Sequence, residues 1–473
     1  MLVFDKLFIG GEWVSPATNR IIEVHSPHDQ SLVGTAPEAT KADIDLAVKV
    51  AKDAFENGEW ATMAPEERQA VIAKFNDLHA AKAQEFAELI TSENGSPLWF
   101  TSVLQGSLQE QTNAYLRAAK DFAWEKHLES GSIVLAEPVG IVAAVIPWNA
   151  PHQSALVKII PAMLAGNSVI LKASPETVLD ALAMGDLFNE AGLPKGVLSI
   201  VPAHREVSEY LVLHEAVDKI AFTGSTAAGK RIASNAAKQM KRVSLELGGK
   251  SAAIILEDAD FKVAVAGVKF SSYANNSEYC AALTRVLVPR SRYAEFEKEM
   301  VEMVKGITVG NPMNMENFMG PMVHKAQQEK VKSYIKLGIE EGARIVVGGL
   351  ETPEGLEQGN YVQPTLFADV DNSMRIAQEE IFGPVIVMIP YTDVEDAIRI
   401  ANDSNFGLSG GVWSASKEKG LEVARRIRTG AVTVNGATSS YDAPFGGYIE
   451  SGMGREFGGI GLGAYVEYKT INI

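Results

Sequence analysis

Cys280 is the only cysteine in the chain, and it lies between a helix-like segment and a strand-like segment. A lone cysteine cannot form an internal disulfide, so its thiol is either a small buried apolar group or a nucleophile. Burial is the more common role before the context is considered. As a thiolate, however, the side chain could attack an electrophilic carbon and form a covalent intermediate.

Glu246 is a second candidate for chemistry, because residues 246–250 read Glu-Leu-Gly-Gly-Lys and end a strand in two glycines. A carboxylate at a strand end can face a cleft and act as a general base. Glu246 also lies 20 residues beyond the middle of a glycine-rich turn, where a dinucleotide fold places its ribose-binding acid. A solvated carboxylate at a sheet edge is a third interpretation.

The glycine-rich turn at residues 224–229 follows a strand ending at Phe222 and opens a helix. Free amides at a helix N-terminus can bind a pyrophosphate. The middle position of the turn is Thr226 rather than glycine, and a plain strand-to-helix connection explains the residues about as often. The turn alone therefore leaves both interpretations open.

Two alternating series of strands and helices must position these residues, the first from residue 139 to 240 and the second from about 251 onward. The strands are predicted at 139–146, 168–172, 197–201, 219–222, 252–256, 285–288, 344–347, 385–389 and 431–434. This rhythm predicts two α/β units in tandem, each a parallel sheet covered by helices. Residues 131–136 form an alternating strand that belongs to neither sheet by its pattern.

The composition limits the possible partners and compartment. The 473 residues carry 43 basic and 59 acidic side chains, a net charge of −16 that repels nucleic acid and anionic lipid. We expect no nucleic-acid partner, no membrane span, no secretion signal and, from the lone cysteine, a cytoplasmic location. The eight histidines show no ligand spacing, so we expect no metal.

Three further segments indicate a family. They are residues 147–151 (Pro-Trp-Asn-Ala-Pro), 379–385 (Glu-Glu-Ile-Phe-Gly-Pro-Val) and 444–448 (Pro-Phe-Gly-Gly-Tyr). In order and spacing, and with the 34-residue interval from Glu246 to Cys280, the chain resembles the aldehyde dehydrogenase superfamily from about Phe8 to its C-terminus. The resemblance implies an NAD(P)-dependent oxidoreductase that converts an aldehyde to a carboxylic acid.

The resemblance assigns three catalytic roles. It makes Cys280 the nucleophile, and it makes Asn149, with the Cys280 backbone amide, the oxyanion hole. Glu246 becomes the general base that activates water to hydrolyse a thioester, which favours catalysis over ribose binding for this carboxylate.

The resemblance also implies a cofactor site. Lys172 would bind the adenosine ribose, Ser225 the pyrophosphate, and Glu380 and Phe382 the nicotinamide ribose and ring. The other implied cofactor contacts are Ile146, Trp148, Gly224, Gly229 and Leu247. Core packing is the alternative for Trp148 and Phe382. We expect NAD as the cofactor.

NADP is a possible second cofactor, because Pro175 occupies the usual place of the ribose acid and Glu176 comes one residue later. The carboxylate that would repel a 2′-phosphate is therefore displaced. We predict NAD as the preferred cofactor with measurable use of NADP.

Residues 277–280 read Ser-Glu-Tyr-Cys, whereas the family pattern is Gly-Gln-x-Cys. If Glu278 points towards the thiol, its charge raises the pKa of Cys280. If it points away, it replaces the hydrogen bonds of a glutamine.

Two alternative functions are considered. One is a relative that transfers the acyl group to coenzyme A, and the other is a catalytically impaired relative that serves as a structural or binding protein. Retention of Glu246 argues against the first, and retention of Asn149, Cys280 and Glu380 as well argues against the second.

The resemblance further implies a substrate tunnel lined by Ala150, Gln153, Ser154, Val157, Tyr279, Ala281, Ser440 and Phe445. Several of these side chains are small, and this suggests a bulky apolar aldehyde, either aromatic, terpenoid or medium-chain.

The implied fold is α/β, with a Rossmann-like cofactor domain (1–119 and 139–248), a second α/β catalytic domain (249–450) and a small β oligomerisation element (120–138 and 451–473). In that element, the strand at 131–136 gains a partner in the C-terminal residues 464–473 and joins a sheet across subunits, because an exposed edge invites aggregation. We expect a homodimer or a homotetramer.

Overall fold

The structure, a computed structural model, describes residues 1–473. Its strands are β1 Leu2–Val3, β2 Leu7–Ile9, β3 Glu12–Val14, β4 Ile21–His25, β5 Leu32–Pro37, β6 Glu125–His127, β7 Ile133–Pro138, β8 Ile141–Val145, β9 Ser168–Ala173, β10 Leu198–Pro202, β11 Lys219–Thr223, β12 Arg242–Glu246, β13 Ala252–Ile255, β14 Arg285–Pro289, β15 Arg344–Val347, β16 Thr365–Ala368, β17 Val385–Tyr391, β18 Phe406–Gly407, β19 Gly410–Trp413, β20 Thr433–Val434, β21 Tyr448–Ile449, β22 Gly452–Met453 and β23 Val466–Ile471.

Its α-helices are α1 Lys41–Asn57, α2 Pro65–Ala81, α3 Ala83–Asn94, α4 Leu98–Asp121, α5 Pro151–Leu164, α6 Leu179–Ala183, α7 Gly185–Ala191, α8 Arg205–Leu213, α9 Thr226–Ala237, α10 Phe261–Tyr273, α11 Tyr293–Lys305, α12 Lys325–Glu340, α13 Arg375–Gln378, α14 Val394–Asn402, α15 Lys417–Ala424 and α16 Gly458–Gly463. None of them is long and apolar enough to span a membrane.

The first large sheet has the order β22-β12-β11-β8-β9-β10-β2-β3. Its five central strands, from β12 to β10, are parallel, and β22 and the β2–β3 hairpin add antiparallel edges. Every residue of β8, β9 and β10 is buried, as expected for parallel strands covered on both faces. The predicted parallel sheet is confirmed at its centre. The short antiparallel edges were not predicted.

The second large sheet has the order β15-β16-β17-β14-β13-β19-β20, and all its pairs are parallel except β15 with β16. The predicted strands at 252–256, 285–288, 344–347 and 385–389 are confirmed to within two residues at their ends, and the one at 431–434 is reduced to Thr433–Val434. The α/β fold class with two mainly parallel sheets is therefore confirmed.

A small third sheet contains β6, β7 and β23. The C-terminal strand β23 pairs antiparallel with β7 over six residue pairs, from Val466 with Pro138 to Ile471 with Ile133. The strand at 131–136 thus has the predicted C-terminal partner, and this partner comes from the same chain. Extension of the sheet across subunits stays a prediction, as do the domain boundaries.

Helix α5 connects the first sheet to the candidate site. It begins with Pro151 in its first turn, where the missing N–H of proline costs nothing and its fixed φ suits a helix. All but one of its residues are buried, and it packs against α4, α2 and β9. The turn before α5, which contains Trp148 and Asn149, is therefore attached to a rigid core element.

Candidate active site

The segment before Cys280 is a sharply folded turn at the end of α10. Asn275, Asn276 and Ser277 all have left-handed backbone conformations, with φ of 50°, 59° and 56°. Such conformations are costly for L-residues unless side chains fix them. Asn276 Nδ2 donates to the Gly95 and Pro321 carbonyls, and Ser277 Oγ donates to the Ser272 carbonyl. Ser277 therefore takes, as a left-handed residue, the place where the family pattern has glycine.

Asn149 and the nucleophile segment are joined by hydrogen bonds. Asn149 Nδ2 donates to the Glu278 carbonyl at 2.9 Å. Asn275 Nδ2 donates to the Asn149 carbonyl at 3.1 Å and to the Glu278 carbonyl at 3.2 Å. The Asn149 amide, which is predicted to stabilise an oxyanion, is thus bound to the carbonyl of Glu278, two residues before Cys280.

The Glu278 side chain points away from the thiol. Its carboxylate oxygen Oε1 accepts a hydrogen bond from the Val323 amide at 3.1 Å, and the residue is 2% exposed. Burial raises the pKa of Glu278 well above its ordinary value. Of the two orientations considered from the sequence, the one in which Glu278 replaces the hydrogen bonds of a glutamine is the one observed.

Cys280 is partly accessible to solvent, but its surroundings disfavour the thiolate. Burial of the thiol, followed by the negative charges of Glu380 and Glu246, raises the pKa of Cys280 to about 12. The thiol is therefore protonated at neutral pH and must lose this proton before it can act as a nucleophile.

Glu246 ends β12 and is only 4% exposed. Its Oε2 has no hydrogen-bond partner, and burial, followed by the charge of Glu456, raises the pKa of Glu246 well above its ordinary value. Lys158 opposes this shift and forms an ion pair with Glu456, with Nζ and Oε1 separated by 2.6 Å. A buried carboxyl group with a free oxygen and a raised pKa is suited to accept a proton.

Gly248 and Gly249 bring the remaining groups together. The Gly249 amide donates to Glu380 Oε1 at 2.9 Å, and a Cβ on Gly249 would lie 2.7 Å from the Cys280 carbonyl oxygen. A Cβ on Gly248 would collide with the Glu380 carboxylate. The two glycines after Glu246 are thus required because Glu380 and Cys280 approach the backbone closely.

The predicted pyrophosphate turn opens α9, with Ser225 as the N-cap residue whose Oγ accepts from the Ala228 amide at 3.3 Å. A Cβ on Gly229 would lie 2.5 Å from Leu247, so this glycine allows the helix to pack against the strand end. The Gly224 amide donates to the Glu246 carbonyl. The helix N-terminus and the strand ends have the arrangement that a dinucleotide requires.

Three other predicted cofactor residues, Ile146, Trp148 and Lys172, lie at the same carboxyl edge of the first sheet, and Phe382 reaches it from the segment between α13 and β17. Ile146 follows β8 and is buried, and Lys172 lies near the end of β9, where burial lowers the pKa of its ammonium group to about 8. Trp148 and Phe382 form an edge-to-face pair with ring centroids 5.5 Å apart. The predicted residues therefore fit a cofactor along this edge, although their individual roles stay predictions.

The predicted tunnel residues fall into three groups. Ser154 and Val157 are buried on α5, Ser440 is exposed, and the others are partly exposed, namely Ala150, Gln153, Tyr279, Ala281 and Phe445.

Three elements of the site were not identified from the sequence. The ion pair of Lys158 with Glu456 joins residues that are 298 positions apart. Its only sequence signal was a lysine within the mainly apolar segment that forms α5. Asn275 carried no signal, because its role depends on the left-handed turn. Gly446, whose added Cβ would lie 2.6 Å from Glu246 Oε1, was part of a quoted motif but was given no role.

Comparison with known proteins places this arrangement among related sequences and structures. A model of the aldehyde dehydrogenase family matches residues 13–471. Geranial dehydrogenase from Castellaniella defragrans is 40% identical over 472 residues, which cover 99% of this chain and 98% of that protein.

Two solved structures are also similar. An aldehyde dehydrogenase from Mycobacterium tuberculosis, complexed with NAD+, superimposes with a TM-score of 0.97 at 44% identity and covers 100% of this chain and 98% of that one. A mutant of aldehyde dehydrogenase C from Pseudomonas syringae, in complex with NAD+ and octanal, gives a TM-score of 0.96 at 38% identity, with 99% and 96% covered.

Proposed function

The chain belongs to the aldehyde dehydrogenase family and is an NAD-dependent enzyme of that family, and we propose that it oxidises a bulky apolar aldehyde to the carboxylic acid through a thioester on Cys280. The observation that carries this proposal is the hydrogen-bonded junction between Asn149 and the Cys280 segment, beside the buried Glu246 carboxylate.

In the first step, the Cys280 thiol gives its proton to a water molecule in the cleft, which passes it to solvent, and Sγ attacks the aldehyde carbon. The carbonyl oxygen becomes an oxyanion, which accepts hydrogen bonds from Asn149 Nδ2 and the Cys280 amide. Asn149 Nδ2 must then exchange its bond to the Glu278 carbonyl for one to the substrate oxygen. A bound NAD would supply the acceptor for the hydride that the carbon loses as the thioester forms.

In the second step, Glu246 takes a proton from a water molecule, and the water oxygen attacks the thioester carbon. The carbon–sulfur bond breaks, the acid is released, and the Cys280 sulfur takes the proton from Glu246. The unpartnered Oε2 of Glu246 is available to that water. The nearby Lys158 ammonium group favours the ionised form of Glu246, whereas burial and the negative charge of its partner Glu456 favour the protonated form.

For the cofactor, we infer that Lys172, Ser225 and Glu380 hold the adenosine ribose, the pyrophosphate and the nicotinamide ribose. Ile146, Trp148, Gly224, Gly229, Leu247 and Phe382 line the same cleft. Glu176 lies one residue after the usual position of the ribose acid and takes its role. It is close enough to Lys172 to raise the pKa of the Lys172 ammonium group, against the effect of burial. NAD is therefore preferred, with NADP as a weaker second cofactor.

For the substrate, small residues at Ala150 and Ala281 leave room for a wide acyl chain, and Val157, Tyr279 and Phe445 provide apolar contact. The related geranial dehydrogenase and the octanal complex support a terpenoid or medium-chain aldehyde. The division into two α/β domains and an oligomerisation element, and assembly into a homodimer or homotetramer, form part of the same proposal.

The test is NADH formation with a panel of aliphatic, aromatic and terpenoid aldehydes, measured for the parent enzyme, Cys280→Ala and Glu246→Gln. Turnover should vanish in Cys280→Ala, and Glu246→Gln should form the thioester in a single burst without steady turnover. Higher kcat/KM for acetaldehyde than for any larger aldehyde would contradict the substrate proposal. Turnover in Cys280→Ala would contradict the thioester route.

Acyl transfer to coenzyme A is the alternative fate of the thioester. The buried, unpartnered Glu246 carboxylate favours water, because an acyl transfer to a thiol needs no base at this position. Product analysis in the presence of coenzyme A distinguishes the two, since hydrolysis gives only the free acid.

A further inference from the structure

Four ionisable side chains are buried in a row beneath the turn that carries Asn149, and the catalytic steps use none of them. They are Glu93 on α3, Asp180 on α6, His152 on α5 and His79 on α2, and each is at most 1% exposed. No three of them form a group that could hold a metal ion. Buried ionisable groups are costly, so their retention calls for a role.

The row is connected by contacts close to 3 Å. His79 Nε2 lies 3.1 Å from His152 Nδ1. His152 Nε2 lies 3.2 Å from Asp180 Oδ2 and 3.1 Å from the Asp180 carbonyl oxygen. Glu93 accepts the Leu179 amide with one oxygen and the Asp180 amide with the other, at 2.8 and 3.1 Å, and so caps the start of α6.

Three of these residues belong to a closed ring. Asn94, next to Glu93 in the chain, donates from Nδ2 to the Trp148 carbonyl at 2.9 Å. From Trp148 the backbone runs through Asn149 to His152, which contacts Asp180, and the Asp180 amide returns to Glu93. The turn containing Asn149 is therefore one side of a ring whose other sides are the end of α3 and the start of α6.

The charge states fit this arrangement. Burial lowers the pKa of His152 to about 3 and that of His79 to about 4, so both imidazoles are neutral at neutral pH. His152 Nε2 faces only oxygen atoms and must carry its N–H, so Nδ1 accepts the N–H of His79. Burial raises the pKa values of both Glu93 and Asp180, which favours a proton on this pair of carboxyl groups.

Asn149 depends on such support, because the N-cap of α5, Ala150, provides no side-chain hydrogen bond. On the catalytic side, Asn275 holds the Asn149 carbonyl. On the opposite side, the ring ties the turn to α3 and α6, through Trp148 before Asn149 and His152 after it.

We propose that His152 is a positioning residue, which holds the Asn149 amide in place by tying the first turn of α5 to Asp180. The inference rests on the proposed role of Asn149 in binding the oxyanion. The competing explanation is that His152 only fills the core beside Phe86, whose ring lies 4.5 Å away in an edge-to-face contact.

The experiment compares His152→Leu, which removes the ring contact, with His152→Gln, whose amide can replace the Nε2 donor. His79→Leu is the matched control, because it removes an equally buried imidazole that lies outside the ring. Each variant is assayed for aldehyde oxidation, for hydrolysis of 4-nitrophenyl acetate without NAD, for NAD binding by tryptophan fluorescence, and for its unfolding midpoint in urea.

We expect His152→Leu to lower kcat for both reactions by at least about tenfold, since a displacement of less than 1 Å is enough for such a loss. NAD binding should be unchanged. His152→Gln should recover most of the activity. His79→Leu should retain kcat within about twofold, even if its unfolding midpoint in urea falls as much as that of His152→Leu. If His152→Leu does not fold, His152→Asn, which is too short to reach Asp180, replaces it in the comparison.

The same substitution in an Asn149→Ala background separates the two proposals. If Asn149→Ala leaves both reactions unchanged, the oxyanion assignment is wrong, and the positioning role falls with it. If Asn149→Ala is impaired and His152→Leu causes no further loss, the positioning role is supported, because the two act on one step. An independent further loss, or equal effects of His152→Leu and His79→Leu, would overturn the inference while leaving the proposed function intact.

Discussion

Replacing Glu278 by glutamine is expected to make the protein more stable at alkaline pH without changing its catalytic rate. The Glu278 carboxylate is buried, and the folded state raises its pKa well above its ordinary value of 4.5. The folded protein therefore binds this proton more tightly than the unfolded chain does. Glu278 contributes stability that is fully present below pH 4.5 and is lost as the pH rises towards the folded-state pKa.

The size of this pH dependence follows from the single proton that Glu278 binds. Between the unfolded and folded pKa values, the free energy of unfolding falls by about 1.4 kcal/mol for each pH unit. In Glu278→Gln this contribution disappears, while the amide oxygen can still accept from the Val323 amide. The other buried carboxyl groups are the same in both proteins, so the difference between parent and variant isolates Glu278.

The assay is urea unfolding of the parent and Glu278→Gln at several pH values above 4.5, with Glu129→Gln at an exposed position as the control. The stability difference should grow with pH for Glu278→Gln and stay flat for the control. Turnover should stay within about twofold of the parent, since a Glu278 carboxylate that points away leaves the pKa of the Cys280 thiol unaltered. A pH-independent difference would show that the folded state does not raise the pKa of Glu278, and a large rise in turnover would show that Glu278 faces the thiol.

Three other substitutions test the neighbouring groups. Lys158→Met leaves Glu456, whose side chain is 11% exposed, without its buried partner and should cost about 3 kcal/mol in urea unfolding, most of it recovered in the double variant with Glu456→Gln. A loss below about 1 kcal/mol would refute the importance of the ion pair. Gly446→Ala places a methyl group 2.6 Å from Glu246 Oε1 and should slow thioester hydrolysis more than the NADH burst, which rapid mixing measures; equal slowing of both would contradict the assignment. Glu176→Gln should raise kcat/KM for NADP relative to NAD by about tenfold, and an unchanged ratio would show that Glu176 does not face the ribose.

The sequence was a good guide to the longer apolar strands and a poor guide to short ones, including the buried strand β16. Strands such as β8 and β9 are continuous apolar runs because helices cover both sides of the sheet. The strand β19, Gly-Gly-Val-Trp, was missed because its glycines read as a turn, and the edge strand β22 has only two residues. Local pattern therefore predicts the longer strands, whereas the short strands, in the sheets and at their edges, depend on tertiary pairing.

The candidate site shows the same division. The resemblance identified Cys280, Glu246 and Asn149, and the structure places them around one turn and one strand end. The orientation of the Glu278 side chain could not be predicted, because it is set by a hydrogen bond from the Val323 amide, 45 residues away along the chain. His152 carried no sequence signal, since its role arises only when α3, α5 and α6 meet.

The first large sheet and its neighbour are completed by the last segment of the chain. Strand β22 adds an edge to β12, β23 pairs with β7, and the Tyr465 carbonyl accepts from Asn167 Nδ2 and the Val139 amide. During synthesis on the ribosome, the first half of the protein thus emerges with β7 and the edge of β12 uncovered. Such long-range pairing slows folding and leaves strand edges open to aggregation. The first large sheet and its small neighbour can therefore be completed only once residues 452–471 have left the ribosome, and a truncation that removes these residues would expose both strand edges.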